Sequence, residues 1–123
     1  MTGRSSRQKG KRGEYILRDL LRKWGFEARR GHAHAGEPDE VHSIPGYHIE
    51  MKNVEALNIW AALTQAARDA VALFEKRWTT VTPELRPPAD EPILFFKRNN
   101  TPVYGVVNAD TLLRLLRLES TYD

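Results

Sequence analysis

Asp39 follows Pro38, and further along Glu50 and Lys52 flank Met51. Two carboxylates and an amine suit metal-assisted hydrolysis of a phosphodiester. That reaction needs a water made nucleophilic near neutral pH and relief of the charge that builds on phosphorus. A hard cation bound by oxygen ligands supplies both. An ammonium beside it orients the attacking water and neutralises developing charge. Each part also has a plainer reading. Asp39 would accept backbone hydrogen bonds after a turn-forming proline, and Glu50 with Lys52 would form a surface ion pair of small worth.

The elements that must position these groups follow from periodicity. Tyr47 to Asn53 alternates as a strand, with Tyr47, Ile49 and Met51 on one face and His48, Glu50 and Lys52 on the other. Met51 then turns its side chain to the core and leaves its carbonyl as a further metal ligand. Pro38 to Ser43 reads as the preceding strand, with a turn at Ile44-Pro45-Gly46, so that a hairpin would bring Asp39 to Glu50. From Gly13 to Trp24 the spacing of Ile16, Leu17, Leu20, Leu21 and Trp24 predicts a helix with Glu14 at the edge of its apolar arc and Gly25 as its cap. Phe26 to Arg30 reads as a short strand.

Leu57 to Trp78 is the longest periodic segment, its stripe formed by Ile59, Trp60, Leu63, Ala67, Ala70, Val71 and Phe74. Gln65 then sits on the less apolar side with Asn58, Ala61, Ala62 and Asp69, a small-residue surface suited to contact with a second copy. Residues 79–91 hold three prolines and read as a long loop. Ile93 to Lys97 and Val103 to Val107 read as strands joined at Asn99-Asn100, a pair that offers a second dimer contact. Asn108 opens a last helix whose Leu112, Leu113, Leu115 and Leu116 are expected to be buried. The three tryptophans fall within apolar stripes, where core packing is the default. The sum is an α/β sandwich around a mixed sheet.

The chain has 123 residues, enough for one core and too few for two. No apolar run reaches membrane-spanning length, and the basic start lacks a signal peptide's apolar stretch. Absence of cysteine excludes disulfides and thiolate metal sites and suits a reducing cytoplasm. Net charge is +3, but residues 1–30 hold ten Lys or Arg against three acids, a balance of +7 that leaves −4 for the rest. A basic end on a mildly acidic body suits a polyanion, although the same charges would also keep a solvated tail soluble. Residues 1–9 are expected to be a flexible basic arm and residues 10–123 the catalytic domain.

Gly10-Lys-Arg-Gly-Glu14 opening a helix, then Gly25-Phe26, Arg29-Arg30, Pro38-Asp39, Glu50-Met-Lys52 and a long helix together resemble the archaeal-type Holliday junction resolvases. These are a branch of the PD-(D/E)xK nuclease superfamily that phages also encode. The resemblance runs from about Gly10 to Ala70. Two departures stand out: Asp39 is followed by Glu-Val-His where the family has an apolar strand, and the proline-rich loop has no counterpart there. The resemblance implies a restriction-endonuclease-like αβββαβ domain, a homodimer, Mg²⁺ dependence with Mn²⁺ able to substitute, and paired nicks near the branch point of four-way junctions.

By motif, Glu14, Asp39, Glu50 and Lys52 would be the catalytic set, joined by Gln65, which many relatives place at the active site. Asp39, Glu50, the Met51 carbonyl and Glu14 would hold the metal. Arg29 or Arg30 matches the family's DNA-contacting arginine, and Lys9, Lys11, Arg12 and His48 are further expected DNA contacts. The other readings are a repair or restriction-like endonuclease acting on duplex or nicked DNA, and a non-cleaving DNA-binding module. A zinc site drawn from His32, His34, His42 and His48 is disfavoured, because His-x-His in a loop is ordinarily solvated.

Overall fold

The computed structural model describes residues 3–27 and 44–121, with side chains from residue 8 onward. Asp39, Arg29, Arg30, His32, His34, His42 and the expected strand over Pro38–Ser43 lie outside the described residues, as does most of the strand expected over Phe26–Arg30. Helix α1 spans Gly3–Lys23, strand β1 Tyr47–Asn53 and helix α2 Ile59–Trp78. Strands β2 (Glu91–Lys97) and β3 (Tyr104–Val106) and helix α3 (Ala109–Ser120) follow.

The sheet runs in the order β1-β2-β3. β1 and β2 are parallel, as a crossover through α2 requires, whereas β2 and β3 form an antiparallel pair turning at Asn100, whose φ of 61° suits a left-handed turn residue. Gly25 at φ 86° closes α1: Phe26 N–H bonds the Leu21 carbonyl and Gly25 N–H the Arg22 carbonyl, both at 3.0 Å. Asn58 and Asn108 cap the other helices through bonds from Ala61 N and Thr111 N.

Side-chain alternation in the strands separates two interfaces. On one face Leu17 and Leu21 of α1 pack on Ile49, with Tyr47, Met51, Ile93 and Phe95 around them. Gly13 lets α1 approach closely, since a Cβ there would meet the Asn53 Cβ at 2.7 Å. The other face, carrying His48, Glu50, Lys52 and the fully buried Leu94, lies beneath α2.

Four expectations need correction. α1 begins at Gly3, so residues 3–9 are helical rather than a separate arm. α2 turns Ala62, Ala66, Ala70 and Phe74 to the sheet, while Ile59, Val71 and Trp60, the last 80% exposed, face outward. Alanines at every fourth position let the helix approach the sheet, and of the small-residue side expected to meet a second copy Ala62 is buried while Asn58, Ala61 and Gln65 stay exposed. Leu112, Leu113, Leu115 and Leu116 are between 40% and 62% exposed, because α3 docks through its polar side instead. Thr111 donates to Glu91, and Arg114 binds Glu91 at 3.1 Å and the Tyr47 hydroxyl at 3.0 Å. Of the tryptophans, Trp24 and Trp60 are exposed and only Trp78 is half-buried, beside Phe74.

The proline-rich loop holds a 3₁₀ turn at Pro83–Leu85 and is braced by Arg86, which bonds the Val81 carbonyl at 2.8 Å and Glu75 at 3.1 Å. Arg77 meets Asp90 at its far end. None of the described helices is long and apolar enough to cross a membrane.

Candidate active site

β1 and α2 build the site between them. His48, Glu50 and Lys52 project from β1 toward α2 by strand alternation, and Gln65 and Asp69 descend from α2, one turn apart on the side that carries Ala62 and Ala66. Lys52 Nζ donates to Gln65 Oε1 at 3.2 Å. His48 Nε2 donates to Glu50 Oε1 at 3.1 Å, and His48 is only 5% exposed. The donor atoms of His48, Glu50 and Asp69 lie within 4.8 Å of one another.

The carboxyls divide their protons unequally. Burial pushes Glu50 up, but hydrogen bonds with His48 and Asp69, and the charges of His48 and Lys52, outweigh it and hold Glu50 below its ordinary value. Asp69 is pushed up to about 6, first by its hydrogen bond to Glu50, then by burial and by the Glu50 charge, against the opposing charges of His48 and Lys52. When protonated, Asp69 is thus the donor and Glu50 the acceptor, as two neighbouring carboxyls with unequal affinity for one proton arrange it.

Such a group fits a divalent cation. Two carboxylates offer the oxygen ligands that Mg²⁺ requires, and the imidazole adds a nitrogen that suits Mn²⁺ better. Metal entry would release the proton shared by Asp69 and Glu50, and coordination through His48 Nε2 would release the one bonded to Glu50.

Of the expected site residues, Glu50, Lys52, Gln65 and His48 come together on one sheet face. His48 enters as a buried neighbour of Glu50, a different place from the expected DNA contact. The Met51 side chain packs on the core as expected. Glu14 is half-buried one turn before Leu17, on the helix that covers the opposite face of β1. Asp39 lies outside the described residues. Lys9 is held in structure: its ammonium pairs with Glu55 at 3.4 Å and its carbonyl accepts from Asn53 at 2.9 Å. Lys11 and Arg12 are exposed.

Asp69 is the one member of the cluster that is not among the expected site residues. The signal was present, since Asp69 follows Gln65 by one helical turn and shares its face. No protein-family model, curated protein or solved structure matches the chain.

Proposed function

We propose that the chain is a divalent-metal-dependent DNA endonuclease of the PD-(D/E)xK type that acts on four-way junctions. One observation carries the reading: Glu50 and Lys52 leave the same strand face and each meets a polar partner from α2, Lys52 on Gln65 and Glu50 on Asp69. A surface ion pair needs no such partners, whereas a group that grips a phosphate and its attacking water would use them.

Glu50 and Asp69, with His48 beside them, would hold the cation, and Asp39 would join them by the motif. When bound, such a cation supplies a more acidic water and neutralises charge on a phosphate oxygen. Lys52 keeps its ammonium near the attacked phosphorus, where Gln65 fixes its direction, so that it orients the water and offsets developing charge. Glu50, held ionised, accepts the hydrogen bond of that water. The amino-terminal half of α1 brings Lys9 to the carboxyl end of β1, the end toward which Lys52 lies, and Lys11 and Arg12 are exposed on the same helix for phosphate contact.

A homodimer would set two such sites on the related arms of a junction and account for paired nicks. The exposed Asn58, Ala61 and Gln65 of α2 and the edge of β3, unpaired among the described residues, are the two contacts such a dimer would use.

The test is cleavage of a labelled four-way junction beside its component duplex, with Mg²⁺, Mn²⁺ or no metal, using wild type and Glu50→Gln. Metal-dependent paired nicks in the junction alone, lost in the variant, are the expected result. Equal cutting of duplex retains the nuclease and removes the junction preference. Tight binding with no cutting under any metal overturns the proposal in favour of a DNA-binding module.

A further inference from the structure

Sheet register lays three side chains in a row on the α2 face. Lys52 pairs with Phe96 across β1 and β2, and Phe96 pairs with Tyr104 across β2 and β3. The two rings stack with centroids 5.9 Å apart and planes inclined by 30°. The row spans two interstrand steps of about 4.8 Å each. Its inner end is the candidate catalytic lysine; its outer end, Tyr104, is 55% exposed.

Phe96 also lines a cleft of about 710 Å³ between the carboxyl ends of the parallel strands and the first turn of α2. Leu57 and Ile59 form its apolar wall, and Glu55 and Arg98 stand at its rim. The Glu55 charge is already met by Lys9 at 3.4 Å, Arg98 at 3.9 Å and the Asn99 N–H at 2.7 Å, so it does not confront an incoming phosphate as a bare carboxylate would.

We propose that the Phe96–Tyr104 platform and this cleft bind the nucleobase of an unpaired nucleotide adjoining the phosphate held at Lys52. The placing of that phosphate rests on the nuclease reading. An aromatic face stacks on any base, which gives affinity without sequence preference. A base within a duplex has both faces covered by its neighbours, so only an unpaired or branch-point base can lie on the platform. Arg98 is placed to take a phosphate of the same nucleotide or the next. The substrate class is therefore DNA that exposes unpaired nucleotides beside the cut: branch points, flaps and single-strand ends. Stacking of Phe96 on Tyr104 would also steady the short β3 strand with no ligand at all, and the experiment separates the two roles.

Full-length protein in metal-free buffer with chelator is titrated into a short single-stranded oligonucleotide carrying 2-aminopurine, and fluorescence and anisotropy are read together. Wild type should quench the probe on binding. Tyr104→Leu and Phe96→Leu should abolish the quench and weaken binding by about 5- to 150-fold, whereas Tyr104→Trp should retain both. Circular dichroism melts identify any variant that fails to fold; the more exposed Tyr104 carries the comparison if Phe96→Leu does. Leucine variants that bind and quench like wild type overturn the platform and leave the nuclease reading to its own cleavage assay. Base-dependent binding by a wild type that cuts no substrate supports the platform and removes the nuclease.

Discussion

Lys52 of β1 and Gln65 of α2 meet at 3.2 Å, joining the Glu-x-Lys strand to the helix that follows it. The amide oxygen accepts from the ammonium without taking its charge, so the lysine is aimed yet remains a cation for a phosphate. Gln65→Leu should therefore slow single-turnover cleavage by roughly 10- to 100-fold, in the range expected when a supporting partner is lost, and leave junction affinity nearly unchanged. Gln65→Glu would pin Lys52 in an ion pair and slow cleavage as well. Unchanged rates in both would remove Gln65 from the site.

Below about pH 6 Asp69 carries a proton directed at Glu50, and a metal entering there must displace it. Affinity for Mn²⁺ should accordingly fall as pH drops through about 6, where Asp69 regains its proton. Asp69→Asn should weaken Mn²⁺ binding by about tenfold and flatten that pH dependence, as titration calorimetry would read. Binding that is pH-independent between 5 and 7 (a window spanning roughly one unit either side of the Asp69 value) would contradict the shared proton.

The same pair affects the metal-free fold. The folded Asp69 pKa is raised above its ordinary 3.8, so the stability linked to its proton is complete at acid pH and is lost as pH rises through about 6. At pH 8, Asp69→Asn should stabilise the metal-free protein by roughly 1 kcal/mol, a figure reduced for solvent screening of a partly exposed group. A thermal melt in chelator, repeated with Mn²⁺, should show the advantage reversed.

Glu91 works in the opposite direction. Its bond from Thr111, then that from Arg114, hold its carboxyl below the usual range against a small opposing effect of burial. Its contribution is present above about pH 4.5 and lost as pH falls through the depressed folded value. Glu91→Gln should loosen α3 at neutral pH and remove part of the acid sensitivity. Hydrogen exchange of the α3 amides, faster in the variant and converging with wild type in acid, is the readout.

Close packing sets a last expectation. Ala66 is fully buried on the sheet side of α2, and Ala66→Leu should cost about 1–3 kcal/mol by overpacking. Trp60→Ala, on the outward side, should fall within about 0.5 kcal/mol of wild type in denaturant melts.

Strand β1, the Gly25 end of α1, the Asn108 start of α3 and the alternation that puts Glu50 and Lys52 on one face were legible because each depends on neighbours a few residues away. Gly25 takes a left-handed cap and Asn108 an N-cap through local backbone bonds, and a period of two assigns Ile49 and Glu50 to opposite faces. What the sequence alone could not determine was which side of a helix meets the sheet. The stripe of α2 promised burial for Ile59, Trp60 and Val71 along with Ala70 and Phe74, yet only the last two are buried and Ala62 and Ala66 join them, because small side chains let the helix lie close over Leu94 and the polar row of β1. That rotation brings Asp69 down to Glu50. It is decided by the complementarity of two surfaces distant in sequence, as is the polar docking that leaves the α3 leucines exposed. The row from Lys52 to Tyr104 depends likewise on strand register, which sets Lys52 beside Phe96, more than forty positions away, and exists only once the sheet has formed.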